Sequence, residues 1–159
     1  MKDIIIYKSQ TADTRSAKQG TTIDELEKDT ISHINDVQNV GYWLIDKIKG
    51  QFTAHDHTKL EYLDEFYNDF NEKLQDGSKD FKNMNWFKER HLTERHHLND
   101  RVPEDVNLID VLEMVVDCTC AGLARSGDVY PIEIDAEVLK KAIENTKNLI
   151  IENTDVVEE

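Results

Sequence analysis

The sequence predicts an all-α protein, a single-domain helical bundle of about five main helices with room for one short N-terminal strand. Three observations carry that expectation. Apolar residues recur three and four apart over long stretches, the period of a helix that buries one face. Only two prolines and six glycines occur among 159 residues, too little turn material for a β-sandwich. Start and stop signals also bracket the first and fourth periodic stretches, and a turn closes the second. A chain of this length fits one domain of ordinary size. The expected layout is an N-terminal extension over 1–20, a helical domain over 21–151 and an acidic tail over 152–159.

Residues 2–9 include the apolar run Ile4, Ile5 and Ile6 and fit one short strand, followed by a polar loop to Gly20. A first helix starts at Thr21 and Thr22, with Asp24, Glu25 and Glu27 close behind. Acidic side chains there offset the positive end of the helix dipole. Ile23, Leu26, Ile31, Ile34, Val37, Val40, Leu44, Ile45 and Ile48 then keep a helical period up to Gly50. A second helix is expected over 59–74, closed by Gln75, Asp76, Gly77 and Ser78. A third is expected over 81–95, with Met84, Phe87, His91 and Leu98 along one face. Pro103, Glu104 and Asp105 open a fourth over 106–125, which Ser126 and Gly127 close. Residues 129–134 fit an extended segment, and a fifth helix covers 136–151.

Nineteen Lys and Arg against thirty-three Asp and Glu leave a formal charge of -14. Gripping duplex nucleic acid or anionic lipid takes clustered cations, so neither is expected as a partner. No stretch approaches the roughly 20 apolar residues of a membrane span, and two cysteines do not make a disulfide scaffold. The expected setting is soluble and cytoplasmic.

The fourth helix holds the most informative segment. From Met114 to Ala124, Asp117 is the only charged residue, so the segment reads as buried on nearly every side. A buried carboxylate needs a pairing, hydrogen bonds or a metal. Asp110 and Glu113 precede Asp117 by seven and four residues, one stripe of the same helix. No Lys or Arg of that helix neutralises them before Arg125. The stripe therefore asks for a cation. The alternative is that Asp117 bonds backbone amides or an Arg from elsewhere, while Asp110 and Glu113 are solvated.

All six histidines lie between residues 33 and 97. His33 shares the inward edge of the first helix, His55 and His57 flank Asp56 at the start of the second, and His91 falls on the apolar face of the third. His96 and His97 follow at its end. Imidazole and carboxylate together suit divalent transition metals.

His33, the adjacent pair His55-Asp56, and Asp117 on a later helix resemble the H…HD…D pattern of the HD-domain superfamily, all-helical metal-dependent phosphohydrolases. The stretch His55-Asp56-His57-Thr58-Lys59 is similar to the HD-x-G-K variant of several branches, with Thr58 where glycine is usual. The extra His91, His96 and His97 are similar to histidines that hold a second metal in some branches. The whole also resembles small phage-encoded proteins with HD-x-[ST]-K, a W…H…HH segment (Trp86, His91, His96-His97) and EM-x-x-D (Glu113 to Asp117). The resemblance spans about residues 30 to 125.

It implies one or two divalent transition-metal ions (Mn, Fe, Co or Zn), one held by His33, His55, Asp56 and Asp117. His91 with His96 or His97 would help hold the second, and Asp56 would bridge the two. Asp110 is the alternative to Asp117, which is preferred for its more apolar surroundings. The implied activity is hydrolysis of a nucleotide or other small phosphoester by a metal-activated water. Lys59, one helical turn after Asp56, is the candidate to neutralise substrate phosphate. Arg95 and Arg125 are weaker candidates of the same kind, and Glu61 is a candidate to position water or the leaving group. A competing expectation is a non-catalytic binding protein on the same scaffold that sequesters a nucleotide or docks on another protein. Pairing into a homodimer is a further implication of the resemblance.

Cys118 and Cys120 are two apart and so face different sides of a helix; they read as small buried residues. Trp43, Trp86, Phe66, Phe70 and Phe87 read as core aromatics.

Overall fold

A computed structural model describes residues 2–8, 18–129 and 131–158. The chain is mainly helical, as expected. It divides into two compact units, residues 1–49 with 146–159 and residues 50–145.

In the first unit, β1 (Ile4–Lys8) pairs in parallel with β2 (Thr154–Glu158), register Ile4 to Thr154. The expected acidic tail is therefore half of a two-stranded sheet. Its acids are answered by lysines: Lys8 Nζ lies 2.9 Å from Glu158 Oε1, and the backbone N–H of Lys2 donates to Asp155 Oδ2 at 3.1 Å. Ile4 is buried at the start of the sheet. Helix α1 (Ile23–Thr53) opens on a reciprocal cap. The Thr22 N–H donates to Glu25 Oε2 at 2.8 Å, and the Glu25 N–H returns a bond to Thr22 Oγ1 at 3.3 Å, which satisfies two N–H groups of the first turn. His33 belongs to this unit and is exposed on α1. Most of the expected loop at residues 10–20 lies outside the described residues.

The second unit carries the end of α1, then α2 (His57–Glu61), α3 (Leu63–Gln75), α4 (Asn85–Glu89), α5 (Leu108–Ser126) and the start of α6 (Ala136–Glu152). The helix expected over 59–74 is interrupted at Tyr62, whose φ of -114° and ψ of 41° end α2 and start α3. The Arg90 guanidinium stacks 4.4 Å from the Tyr62 ring and pairs with Glu65, which stabilises that corner.

The helix expected over 81–95 is instead a chain of short turns. Two 3-10 turns, Phe81–Asn83 and His91–Thr93, flank the five-residue α4. Polar side chains break the run by taking its backbone N–H groups: Asp80 Oδ1 accepts the Lys82 N–H locally, and Asp69 Oδ2, from α3, accepts the Trp86 N–H at 2.8 Å. Aromatic packing holds the irregular segment. Trp86 is nearly fully buried, 4.4 Å from the ring of Phe66 and stacked 4.8 Å from that of His91. Phe87 is buried as expected, whereas Phe70 is exposed.

Helix α5 has a capping box: Asn107 Oδ1 accepts the Ile109 N–H, and Asp110 Oδ2 accepts the Asn107 N–H, both at 2.9 Å. It ends at Gly127, whose φ of 79° is one that glycine adopts freely. Met114 joins Leu98, Val106 and Ala142 in a small core. The expectation that 114–124 is buried all round is corrected: Val115, Val116, Leu123, Cys118 and Cys120 are exposed. One face of α5 packs inward, and it is the face carrying Asp110 and Glu113. Residues 131–134 are irregular rather than strand, and residue 130 lies outside the described residues.

Candidate metal centre

The second unit brings together His55, Asp56, His91, His96, His97, Glu113 and Asp117. The turn after α1 delivers His55 and Asp56. The short turns that replace the third helix deliver the other histidines, and α5 delivers the two remaining acids.

Asp56 is the hub. Its Oδ2 lies 3.6 Å from His55 Nε2, and its Oδ1 lies 3.8 Å from both His91 Nε2 and His96 Nε2. His97 Nε2 lies 2.8 Å from His91 Nε2, and Asp117 Oδ1 lies 3.5 Å from His55 Nε2. Three imidazoles, of His55, His91 and His96, thus turn the same nitrogen toward one carboxylate, and His97 meets the group through His91. His55, His96 and Glu113, and likewise Asp56, His96 and His97, bring one donor atom each within 4.8 Å of one another.

The outer sides of the rings are held by other groups. His55 Nδ1 lies 2.9 Å from Glu113 Oε1, and His91 Nδ1 lies 3.3 Å from Thr58 Oγ1. A carboxylate on the outer nitrogen leaves the inner nitrogen as a lone pair, the orientation a metal ligand needs. Glu113 is 3% exposed, is bonded by Gln51 Nε2 at 2.7 Å, and also lies 3.3 Å from His96 Nδ1 without the alignment of a hydrogen bond.

The residues fit a bound cation by one direct test. Asp56 Oδ1 and both ring nitrogens of His96 are buried and make no hydrogen bond. Buried polar atoms are normally satisfied, and a divalent ion between Asp56 Oδ1 and His96 Nε2, 3.8 Å apart, would satisfy those two, while His96 Nδ1 on the other side of the ring faces Glu113. Imidazole nitrogen and carboxylate oxygen are donors that could hold a metal ion.

The electrostatics are divided. Burial would raise the Asp56 carboxyl, but the Lys59 ammonium and the His55 and His91 rings outweigh it and hold it below the usual range. Burial, with the neighbouring His97 and Lys59 charges, pushes His91 down to about 3. Burial and His96 likewise lower His97. Burial would lower His96 too, but Glu113, Asp117 and Asp56 outweigh it and raise it. Glu113 is held at about 2 because His96, Gln51 and His55 outweigh its burial. His91 and His97 are therefore kept neutral, which is the ligating form.

The remaining sequence candidates fall as follows. His33 is in neither donor group. Asp110, fully buried, is consumed by structure: Arg95 forks onto it (Nε to Oδ1 2.7 Å, Nη2 to Oδ2 2.9 Å), and Gln51 and the Asn107 N–H complete its shell. The cation that the acidic stripe asks for is thus Arg95 at Asp110. Arg95 also holds Asp105, so its guanidinium is occupied rather than free for phosphate. Asp117, expected to be buried, is a third exposed at its side chain and sits at the mouth of the cluster. Lys59 Nζ is paired with Asp56 Oδ2. Glu61 is exposed, 3.9 Å from His57 Nε2. Arg125 is exposed and lines a recess of about 280 Å³ with Asp117, Cys118, Asn99 and Ile132. A second recess of about 150 Å³ brings Phe52, Val116 and Cys120 against His55, Glu113 and Asp117.

Gln51 and Glu94 have no counterpart in the sequence reading, and Thr58 entered it only as the residue standing where glycine is usual. Glu94 stands between His91 and His96, and that position was the one available signal.

No protein-family model, curated protein or solved structure matches this chain. No helix among the described residues is long and apolar enough to cross a membrane.

Proposed function

We propose that the protein is a metal-dependent phosphohydrolase acting on a nucleotide or other small phosphoester. The observation that carries this reading is the convergence of three imidazole Nε2 atoms, of His55, His91 and His96, on Asp56, whose Oδ1 is buried without a hydrogen bond. His55, His91, His96, His97, Asp56 and Asp117 would hold one or two divalent transition-metal ions. Such ions, when bound, lower the pKa of a coordinated water and offset charge on a phosphoryl group.

The chain's own residues do the rest. Asp56 offers one oxygen to each side of the cluster and is the shared carboxylate. Glu113 orients His55. Lys59, now paired with Asp56, is the ammonium nearest the centre and the candidate for substrate phosphate. Arg125, in the recess beside Asp117, is the cation for the non-reacting end of the substrate.

The test is Mn²⁺- or Co²⁺-dependent phosphate release from a panel of nucleotides and generic phosphoesters, run on the parent protein and on Asp56→Ala. Turnover that Asp56→Ala abolishes while the fold persists supports the proposal. A parent protein that binds metal and nucleotide without turnover shows the non-catalytic binding protein instead.

A further inference from the structure

We infer that Glu94 is a positioning residue for this centre, a substitute helix cap that releases the Asp56 carboxylate to face the histidines. The inference rests on the reading of the cluster as a metal centre.

Asp56 is the N-cap residue of α2. Aspartate at that position ordinarily spends its carboxylate on the N–H groups of the first turn. Here it makes no such bond. Its Oδ2 is paired with Lys59 and faces His55, and its Oδ1 faces His91 and His96 without a hydrogen bond. The turn also strains it, since Asp56 is the one non-glycine among the described residues with positive φ, at 56°. An L-residue disfavours that region, aspartate less than most, and contacts from outside the turn help to hold it there.

Glu94 supplies both missing functions. It is buried, and its Oε1 accepts the Thr58 N–H at 3.0 Å, the bond that an N-cap side chain would make. The same oxygen lies 2.9 Å from His57 Nδ1, which is also 3.0 Å from the Ala54 carbonyl. Two acceptors at one ring nitrogen require that nitrogen to carry the proton. The two residues after Asp56 are thus pinned to one buried carboxylate. That carboxylate sits on the segment that also carries His91, His96 and His97, so the clamp joins the two halves of the donor set. Thr58, in turn, is within 3.3 Å of His91 Nδ1.

The experiment measures two quantities on the full chain: Co²⁺ affinity by absorption titration, and exchange of the Thr58 amide in metal-free protein by NMR. The variants are Glu94→Ala and Glu94→Gln. Loss of such a supporting carboxylate weakens metal binding by about 10- to 100-fold. The expected result is that loss in Glu94→Ala together with faster Thr58 exchange. Glu94→Gln, whose carbonyl still accepts the Thr58 N–H, should return both toward the parent values. Should Glu94→Ala not fold, Glu94→Asp, whose carboxylate is withdrawn by one methylene, takes its place. Parent-like Co²⁺ affinity in Glu94→Ala overturns the inference. So does a Glu94→Gln protein that protects Thr58 yet binds Co²⁺ as weakly as Glu94→Ala. A parent protein that takes up no Co²⁺ overturns the metal-centre reading itself, and the inference falls with it.

Discussion

His55 meets Glu113 through Nδ1 at 2.9 Å, and this contact turns its Nε2 toward Asp56 and Asp117, at 3.6 and 3.5 Å. One imidazole is thereby held at its outer face by a buried acid and presented at its inner face to two others. Glu113→Gln should weaken Mn²⁺ binding by about 10- to 100-fold, because the outer carboxylate sets the tautomer and basicity of the ligand. Isothermal titration of the two proteins gives the ratio. Equal affinities would show that the ring orients without Glu113.

Asp56→Gly should leave the metal-free protein at least as stable as the parent. Relief of a left-handed aspartate is worth about 1 kcal/mol, which offsets the greater chain entropy of glycine and the modest worth of a partly exposed ion pair with Lys59. The same variant should bind no transition metal. Urea unfolding in chelator checks the first half, and a loss well beyond 1 kcal/mol would mark Asp56 as a structural residue.

Arg95→Met should destabilise the fold by about 3 kcal/mol, because it strands the fully buried Asp110 carboxylate without its fork. Arg95→Met combined with Asp110→Asn should cost less than the sum of the two single changes. A double-mutant cycle by denaturant titration measures the coupling. Strict additivity would refute the pairing as an energetic unit.

Acid should destabilise the metal-free protein from about pH 6.5 downward. His91 ionises near 3 in the fold against an ordinary 6.5, so the unfolded chain binds the extra proton first as pH falls. His97, also lowered, acts in the same direction. Glu113 adds a second loss below its ordinary 4.5, as pH approaches about 2. His96, which is raised, opposes the trend: its contribution is present at low pH and fades as pH rises through its folded value. Melting temperature should therefore fall between pH 7 and 5, and His91→Gln should flatten the slope. A parent melting temperature that stays level across that range contradicts the burial-driven shift.

The sequence by itself determined the helical class, the positions of α1, α5 and α6, and the pool of donors. These are local properties: a period of apolar residues, a cap and a glycine stop act within a few residues of one another. It also placed the His55-Asp56 pair at a helix start and the later histidines in one short segment. Where it failed, distant groups had outweighed local pattern. The run from Phe81 to Arg95 has helical spacing, yet Asp69 takes the Trp86 N–H and the aromatic stack around Trp86 rewards a broken chain. The tail at 154–158 is acidic and short, and only the N-terminal strand gives it a partner. Among the acids of α5, apolar neighbours in sequence suggested burial at Asp117, but burial is a property of what packs against a face. The tertiary structure buried Asp110 and Glu113 instead, gave the first to Arg95 and the second to His55, and left Asp117 at the mouth of the cluster. Glu94 was legible only as an acid standing between His91 and His96. Its role exists because a chain reversal sets its oxygen against the Thr58 amide, a contact between residues 36 apart that no local pattern encodes.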